Sequence, residues 1–274
     1  MTAVIVDYLN EVMPTAKSQD AIRYAALPIV DFFEGKVVSE ITKVICQSYE
    51  KWRKKAAGTV RRELGVLAAA LNHAVGENRL THSPKIFMPQ MPEPRERYLT
   101  KSEAARLLRA SLRLEKSRHY LPLFILIGLH TGQRREAILS LQWSQVDLDS
   151  GFIRWNPVGR KQTKKKRPTS RIPTKLIGHL RRAARYKVVS DYVLHNDGKR
   201  MKDLKKSFAN ACKKAGLEGV TPHTMRHTRA TWGMQSGKVS TWELAGFLGM
   251  SEQTLIRVYG KHHPDYQSNA AENY

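Results

Sequence analysis

The chain predicts a mainly helical protein of two domains, with one small antiparallel β-sheet confined to the second. Three observations carry that expectation: apolar residues recur at helical spacing through most of the chain, a proline cluster breaks the pattern once, and strand-like runs beside turn formers occur only beyond residue 150. The expected layout is an α-helical domain over 1–85, a proline-rich linker over 86–97 and a mixed domain over 98–274.

Residues 1 to about 80 read as successive helices punctuated by Pro14, Gly35 and Gly58. In TVRRELGVLAAALNHAV, the residues Leu64, Leu67, Ala68, Leu71 and Val75 form one apolar face, with Arg61 and Arg62 near its start. The preceding segment has the same character and ends on a basic turn, Lys51, Arg53, Lys54 and Lys55. Such a turn suits the negative end of a helix macrodipole as a solvated face, and it also suits a nucleic-acid backbone. Between Thr81 and Arg97, Pro84, Pro89, Pro92 and Pro94 forbid a helix and mark the connector. A helix then opens on Thr100-Lys101-Ser102-Glu103, a capping-box sequence ahead of Ala104, Leu107 and Leu108. A buried helix over Leu121–Leu129 follows, and then TGQRREAILSLQW. Phe152–Trp155 after Asp149-Ser150-Gly151, and Ser170–Pro173 after a basic loop, predict two strands. Tyr192–His195, ahead of Asn196-Asp197-Gly198, either joins that sheet or ends separately, and beyond Lys202 the chain reads as helical again.

Composition narrows the partners. With 47 Lys+Arg against 24 Asp+Glu, the formal charge is +23, an imbalance that favours a polyanion. The longest apolar run, LPLFILIGL, is too short to span a bilayer, and the first residues lack the pattern of a signal peptide, so the expected location is the cytoplasm. Cys46 and Cys212 match no metal-site spacing and predict two reduced, partly buried thiols.

The candidate chemistry gathers in TPHTMRHTRATW and its surroundings. No GxxxxGK[ST] or GxGxxG loop is present, nor a GxSxG nucleophile elbow. His223 and His227 have an i, i+4 spacing that can hold zinc, but Thr224 stands where the metalloprotease pattern needs Glu, so no metal is expected. His223 and Arg226, three apart, share one helix face. Arginine presents a planar fork that binds two phosphate oxygens and stays charged. With Arg134 upstream, two such forks can stabilise a phosphorane, and Tyr259 is a plausible nucleophile if cations favour its phenolate.

TGQR at Thr131–Arg134, HTMR at His223–Arg226, LGM at Leu248–Met250 and Tyr259, nine residues beyond Met250, resemble the tyrosine recombinases, also called the phage integrase family. The resemblance covers about residues 96–265 and extends more loosely to a helical core-binding domain at the N-terminus. It implies a metal- and ATP-independent site-specific DNA recombinase without cofactors. Arg134 and Arg226 would clamp the scissile phosphate, His223 would orient it and assist proton transfer, and Tyr259 would form a 3′-phosphotyrosyl bond. A lysine of the loop GRKQTKKKRPTSRIP, Lys164 with Lys165 close behind, would protonate the leaving 5′-oxygen. Two positions depart from the family pattern: Met250 stands at the usual His or Trp, and Ala137 at the usual acidic residue, with Glu136 one step early. Expected DNA contacts are Lys51, Arg53, Lys54, Lys55, Arg61, Arg62, Arg160, Lys161, Lys165, Lys166 and Arg167. The resemblance further implies a clamp of two domains on duplex DNA at recombination sites and a homotetramer on DNA from a protein monomeric alone. It also implies accessory DNA-bending proteins and residence in a bacterial cytoplasm, nucleoid-associated when bound to DNA. Alternative readings are a catalytically impaired prophage-derived DNA-binding protein, a type IB topoisomerase-like enzyme and a plain basic nucleic-acid-binding protein.

Overall fold

The computed structural model describes residues 1–91, 96–163 and 166–272, and of Lys187 the backbone alone. The chain divides into two compact units, Met1–Pro94 and Arg95–Tyr274.

The first unit is helical: α1 (Thr2–Glu11), α2 (Gln19–Phe33), α3 (Lys43–Arg53) and α4 (Ala57–Gly76). α4 packs against the other three and supplies Leu64, Leu67 and Leu71 to a core completed by Ile5, Ile29, Phe33 and Tyr49. Removing an aliphatic or aromatic side chain of this size from water contributes ~1.5–3 kcal/mol. Ala70 and Ala74 complete the buried face, whereas Ala68 and Val75 are half-buried. The break before α4 falls at Lys54, which takes a left-handed conformation with φ 47°, and Gly58 lies inside the first turn of the helix instead of before it. Ile86, Phe87 and Met88, expected in the linker, pack against this first core. Buried Glu63 accepts hydrogen bonds from Tyr49 Oη at 2.7 Å and Arg53 Nε at 3.0 Å, so a carboxylate inside the unit is fully partnered.

The second unit opens with α5 (Lys101–Leu112), whose capping box forms as expected: Glu103 N–H donates to Thr100 Oγ1 at 3.2 Å and Thr100 N–H to Glu103 Oε2 at 2.9 Å. α6 (Leu121–Thr131) is buried on most sides because its residues are apolar all round. The short α7 (Arg135–Leu139) follows it. A three-stranded antiparallel sheet comes next, β1 (Val146–Asp147), β2 (Phe152–Arg154) and β3 (Thr169–Arg171), in the order β1-β2-β3 with Ile153 opposite Val146 and Ser170. The central strand ends one residue earlier than the sequence predicts, because Trp155 turns its indole into the core and donates to Ser170 Oγ at 2.9 Å. α8 (Thr174–Ala184) then leads to β4 (His195–Asn196) and β5 (Lys199–Arg200), a separate hairpin turning through Asp197 and Gly198 at φ 50° and 78°. Tyr192 makes one isolated bridge to Gln142.

The remaining helices are α9 (Lys205–Lys214), α10 (Thr224–Gln235), α11 (Thr241–Leu248), α12 (Glu252–Tyr259) and α13 (Ser268–Glu272). α10 packs on α6 and ties down the start of the unit, since Thr228 Oγ1 accepts from Leu99 N–H at 2.9 Å and Trp232 Nε1 donates to Leu99 O at 3.0 Å. A smaller core of Ala230, Met234, Leu244, Ala245, Leu248, Leu255 and Tyr259 holds α10, α11 and α12 together. Cys46 and Cys212 are free and buried, one in each unit.

Candidate active site

Two glycine-ended helices bring the arginines together. α6 ends at Gly132, left-handed at φ 64°, and α11 ends at Gly249, left-handed at φ 66°. Each glycine lies where a side chain has no room. A Cβ on Gly132 would come 2.4 Å from Leu248 Cδ2, and one on Gly249 would come 2.8 Å from Pro168 Cδ and 2.9 Å from the Lys166 carbonyl. The carbonyls of these turns receive the guanidiniums. Arg226, 4 % exposed on α10, donates to Gly132 O at 2.9 Å and Leu248 O at 2.5 Å. Arg134, which opens α7, donates to Gly249 O at 3.3 Å and Lys166 O at 2.8 Å. The turn carrying the first arginine is therefore held by the second, and the turn after α11 is held by both. Gln133 strengthens the same junction through Nε2 to Phe247 O at 3.0 Å.

Burial weakens both cations, and repulsion from Arg134 adds to this at Arg226. Desolvation, and then the Arg134 charge, pushes the Arg226 pKa down to about 10, while desolvation alone lowers Arg134. Among the described residues neither guanidinium has a carboxylate partner, and two such poorly hydrated positive groups suit an anion.

Tyr259 ends α12 and is 6 % exposed. Its Oη lies 2.8 Å from His227 Nδ1, and the His227 ring meets the His223 ring edge to face with centroids 4.8 Å apart. Desolvation raises the Tyr259 pKa, with the Arg226 charge opposing it. His223 caps α10 and is exposed as a residue, yet atoms packed round its imidazole desolvate it and push its pKa down to about 4, with His227, Arg226 and Arg134 adding repulsion. Desolvation, then the Arg226 charge, also lowers the His227 pKa, so the surroundings of both histidines favour the neutral imidazole. Among the described residues, no group of three or more His, Cys, Asp or Glu side chains is placed to hold a metal ion.

The structure thus brings together Arg134, His223, Arg226 and Tyr259, with Met250 half-buried against the small core that contains Tyr259. Lys164 and Lys165 lie outside the described residues. Of the other basic residues in that loop, Arg160 donates to Asn156 Oδ1 at 2.7 Å, Arg167 donates to Ser140 Oγ at 3.1 Å, and Lys161 and Lys166 are exposed. Glu136 turns away from the site to pair with Arg200, while Ala137 is buried. In the first unit Lys51, Lys54, Lys55 and Arg62 are exposed, whereas Arg53 is paired with Glu63 at 2.9 Å and Arg61 donates to Pro89 O at 2.6 Å.

Sequence reasoning missed His227 and the two glycines. The HTMRH spacing was legible only as an incomplete zinc pair, and the tyrosine that the second histidine meets is 32 residues away. The glycines stood in plain view in TGQR and LGM, but a helix-ending glycine is too common to signal a carbonyl that receives an arginine.

Comparison with known proteins identifies the family and the fold. The model of the phage integrase family matches residues 97–265. The integrase of Salmonella phage P22 is 26% identical over 280 residues, spanning 90% of this chain and 70% of that protein. The tyrosine recombinase XerA of Thermococcus kodakarensis is 30% identical over 192 residues, spanning 67% of this chain and 64% of that protein. In fold, the Tn1549 transposon integrase in complex with transposon right end DNA matches with a TM-score of 0.80 at 15% identity, over 99% of this chain and 97% of that one. A lambda integrase dimer bound to a core site matches with a TM-score of 0.73 at 16% identity, over 94% and 95%.

Proposed function

The chain belongs to the phage integrase family, and from that membership we propose how its residues do the chemistry. It is a site-specific DNA recombinase, a tyrosine-type DNA strand transferase. Arg134 and Arg226 hold the non-bridging oxygens of the scissile phosphate and stabilise the extra charge of the phosphorane. Tyr259 attacks the phosphorus, the P–O5′ bond breaks, and a 3′-phosphotyrosyl bond forms with a free 5′-hydroxyl. His223 orients the phosphate, and a lysine of the loop between β2 and β3 protonates the leaving oxygen. The phosphotyrosyl bond conserves the energy of the one broken, so a partner 5′-hydroxyl can reseal it without ATP.

The observation that carries this reading is the convergence on the Leu248–Met250 turn. Arg134 and Arg226 both bind its carbonyls, and the charge of Arg226 bears on the Tyr259 phenol. The substrate is duplex DNA at recombination sites, engaged by both units, the first as a core-binding domain through Lys51, Lys54, Lys55 and Arg62. Recombination joins two duplexes and needs four cleavages, which favours a homotetramer on DNA assembled from protein monomeric alone, with DNA-bending accessory proteins. No described helix is long and apolar enough to cross a membrane, and action on DNA in a bacterial cytoplasm follows from the proposed substrate. The family relatives favour this reading over an impaired DNA-binding remnant or a relaxing topoisomerase.

Covalent trapping tests it. On nicked duplexes taken from the junctions flanking the gene, wild-type protein should give a denaturation-resistant adduct, and Tyr259→Phe should bind equally and give none. An adduct undiminished in Tyr259→Phe would remove Tyr259 from the mechanism.

A further inference from the structure

A tyrosine nucleophile must surrender its proton as it attacks, and the surroundings of Tyr259 make that harder. Burial raises the pKa of its phenol and Arg226 offsets this only in part. A base is needed within hydrogen-bond reach of Oη. Among the described residues His227 meets that requirement, with Nδ1 2.8 Å from Oη and the two rings in tilted contact at 5.8 Å between centroids. His223, whose family role includes proton transfer, stands behind it, in edge contact with the ring of His227. The accepting nitrogen must carry a lone pair, which a neutral imidazole has and an imidazolium lacks. Burial and the Arg226 charge both lower the His227 pKa and so favour that neutral form. Of its neighbours, Arg226 lies on its own helix, His223 at the N-cap of that helix and Tyr259 on α12. The other elements packed on α10 carry His130 (α6), Glu243 (α11), and Lys261 and His262 in the turn after α12, where Lys261 pairs with Glu96 and His262 packs on Tyr98.

We propose that His227, rather than His223, is the proton acceptor for the Tyr259 nucleophile. The inference rests on the reading of Tyr259 as the attacking residue. As the Oη–P bond forms and the P–O5′ bond breaks, the phenolic proton passes to His227 Nδ1, and the 5′-oxygen takes its proton from the separate acid of the β2–β3 loop. On resealing, the incoming 5′-hydroxyl gives up its proton to that loop residue, and the His227 imidazolium returns its own to the departing phenolate. Nothing is oxidised, and each group ends as it began. This assignment also gives the site a working base where Met250 offers no proton-transfer group.

The test compares single-turnover adduct formation by wild type, His227→Ala, His227→Gln and Tyr259→Phe on two nicked duplexes. One carries the natural phosphate and the other a 5′-bridging sulfur, whose thiolate leaves without protonation. His227→Ala should cut the rate by about 10²–10⁴-fold on both substrates with DNA binding retained. Its rate should climb with pH toward the tyrosine pKa, and added imidazole should restore part of it. His227→Gln keeps a hydrogen-bond acceptor but cannot take the proton, so it should be slowed comparably. Full activity in His227→Gln would show that the contact only positions the tyrosine, and full rescue by the sulfur substrate would assign His227 to the leaving group; either overturns the proposal. So would a loss in His227→Ala indifferent to both pH and imidazole. If Tyr259→Phe still forms the adduct, it is the identity of the nucleophile that fails, whatever the His227 variants do.

Discussion

At the scale of single residues, the site depends on atoms that carry no chemistry of their own. Arg226 and Arg134 are oriented by carbonyls of Gly132, Leu248, Gly249 and Lys166, in turns packed so closely that positions 132 and 249 have no room for a Cβ. Gly249→Ala would strain a left-handed residue and press on Pro168 and the Lys166 carbonyl. A cost of roughly 1–3 kcal/mol is expected, visible as a lowered denaturation midpoint, together with slower cleavage at unchanged DNA affinity. Arg226→Ala should lower single-turnover cleavage by about 10²–10³-fold, the usual value of one buried electrostatic donor, while filter binding or anisotropy changes little, since one cation among many contributes little to the affinity. Equal losses in binding and cleavage would place Arg226 in DNA affinity instead of in the reaction. Arg134, Arg226 and Tyr259 were legible as candidates from motif letters, because phosphoryl transfer needs those residue types, and the structure places them close together. The carbonyls that aim them were not legible, because every backbone has carbonyls and only the folded chain says which ones face an arginine.

Among elements, α5 shows how much a local signal settles. Thr100 and Glu103 were readable as a helix start because both partners of the capping box lie within four residues, and the hydrogen bonds form as expected. Thr100→Ala should cost about 1 kcal/mol, measurable by urea unfolding of the whole chain. Another part of the same junction escaped sequence reading: Arg97, ahead of the helix, donates to Glu103 Oε1 at 2.6 Å and, with the Thr100 backbone, holds the Glu103 pKa down to about 2, against 4.5 ordinarily. A carboxylate whose pKa is depressed by folding binds protons more readily in the unfolded chain, so stability decreases as the pH is lowered across that interval. The contribution is complete above about pH 4.5 and is lost as pH drops toward 2. Glu103→Gln should flatten acid destabilisation between those values, as followed by denaturation midpoints; an unaltered acid limb would show that the pair contributes nothing. The strands were the least legible elements, since none of those described exceeds three residues, and pairing instead of sequence run defines them.

For the whole molecule, the formal charge of +23 makes DNA affinity an ionic-strength question. If about 6–10 phosphates are contacted, affinity should fall by about 10³–10⁵ between 50 and 200 mM salt. Lys54→Ala and Lys55→Ala should each reduce the slope of log affinity against log salt by about 1, and unchanged slopes would remove that turn from the interface. The sequence alone determined that the chain is mostly helical, that prolines interrupt it near residue 90, that its partner is a polyanion, and which residue types could handle a phosphodiester. These properties arise from hydrophobic periodicity, backbone restriction and charge, all of which act over a few residues or over the sum of the chain. Only the tertiary structure decided which cations face inward to partners, as Arg53 and Arg61 do, and which stay exposed. It also decided that Arg226 reaches across 94 residues to the turn before Arg134, and that Tyr259 meets His227 rather than His223. Such contacts join residues distant in sequence. They follow from how α6, α10, α11 and α12 bury their shared apolar surface, and no local pattern records that packing.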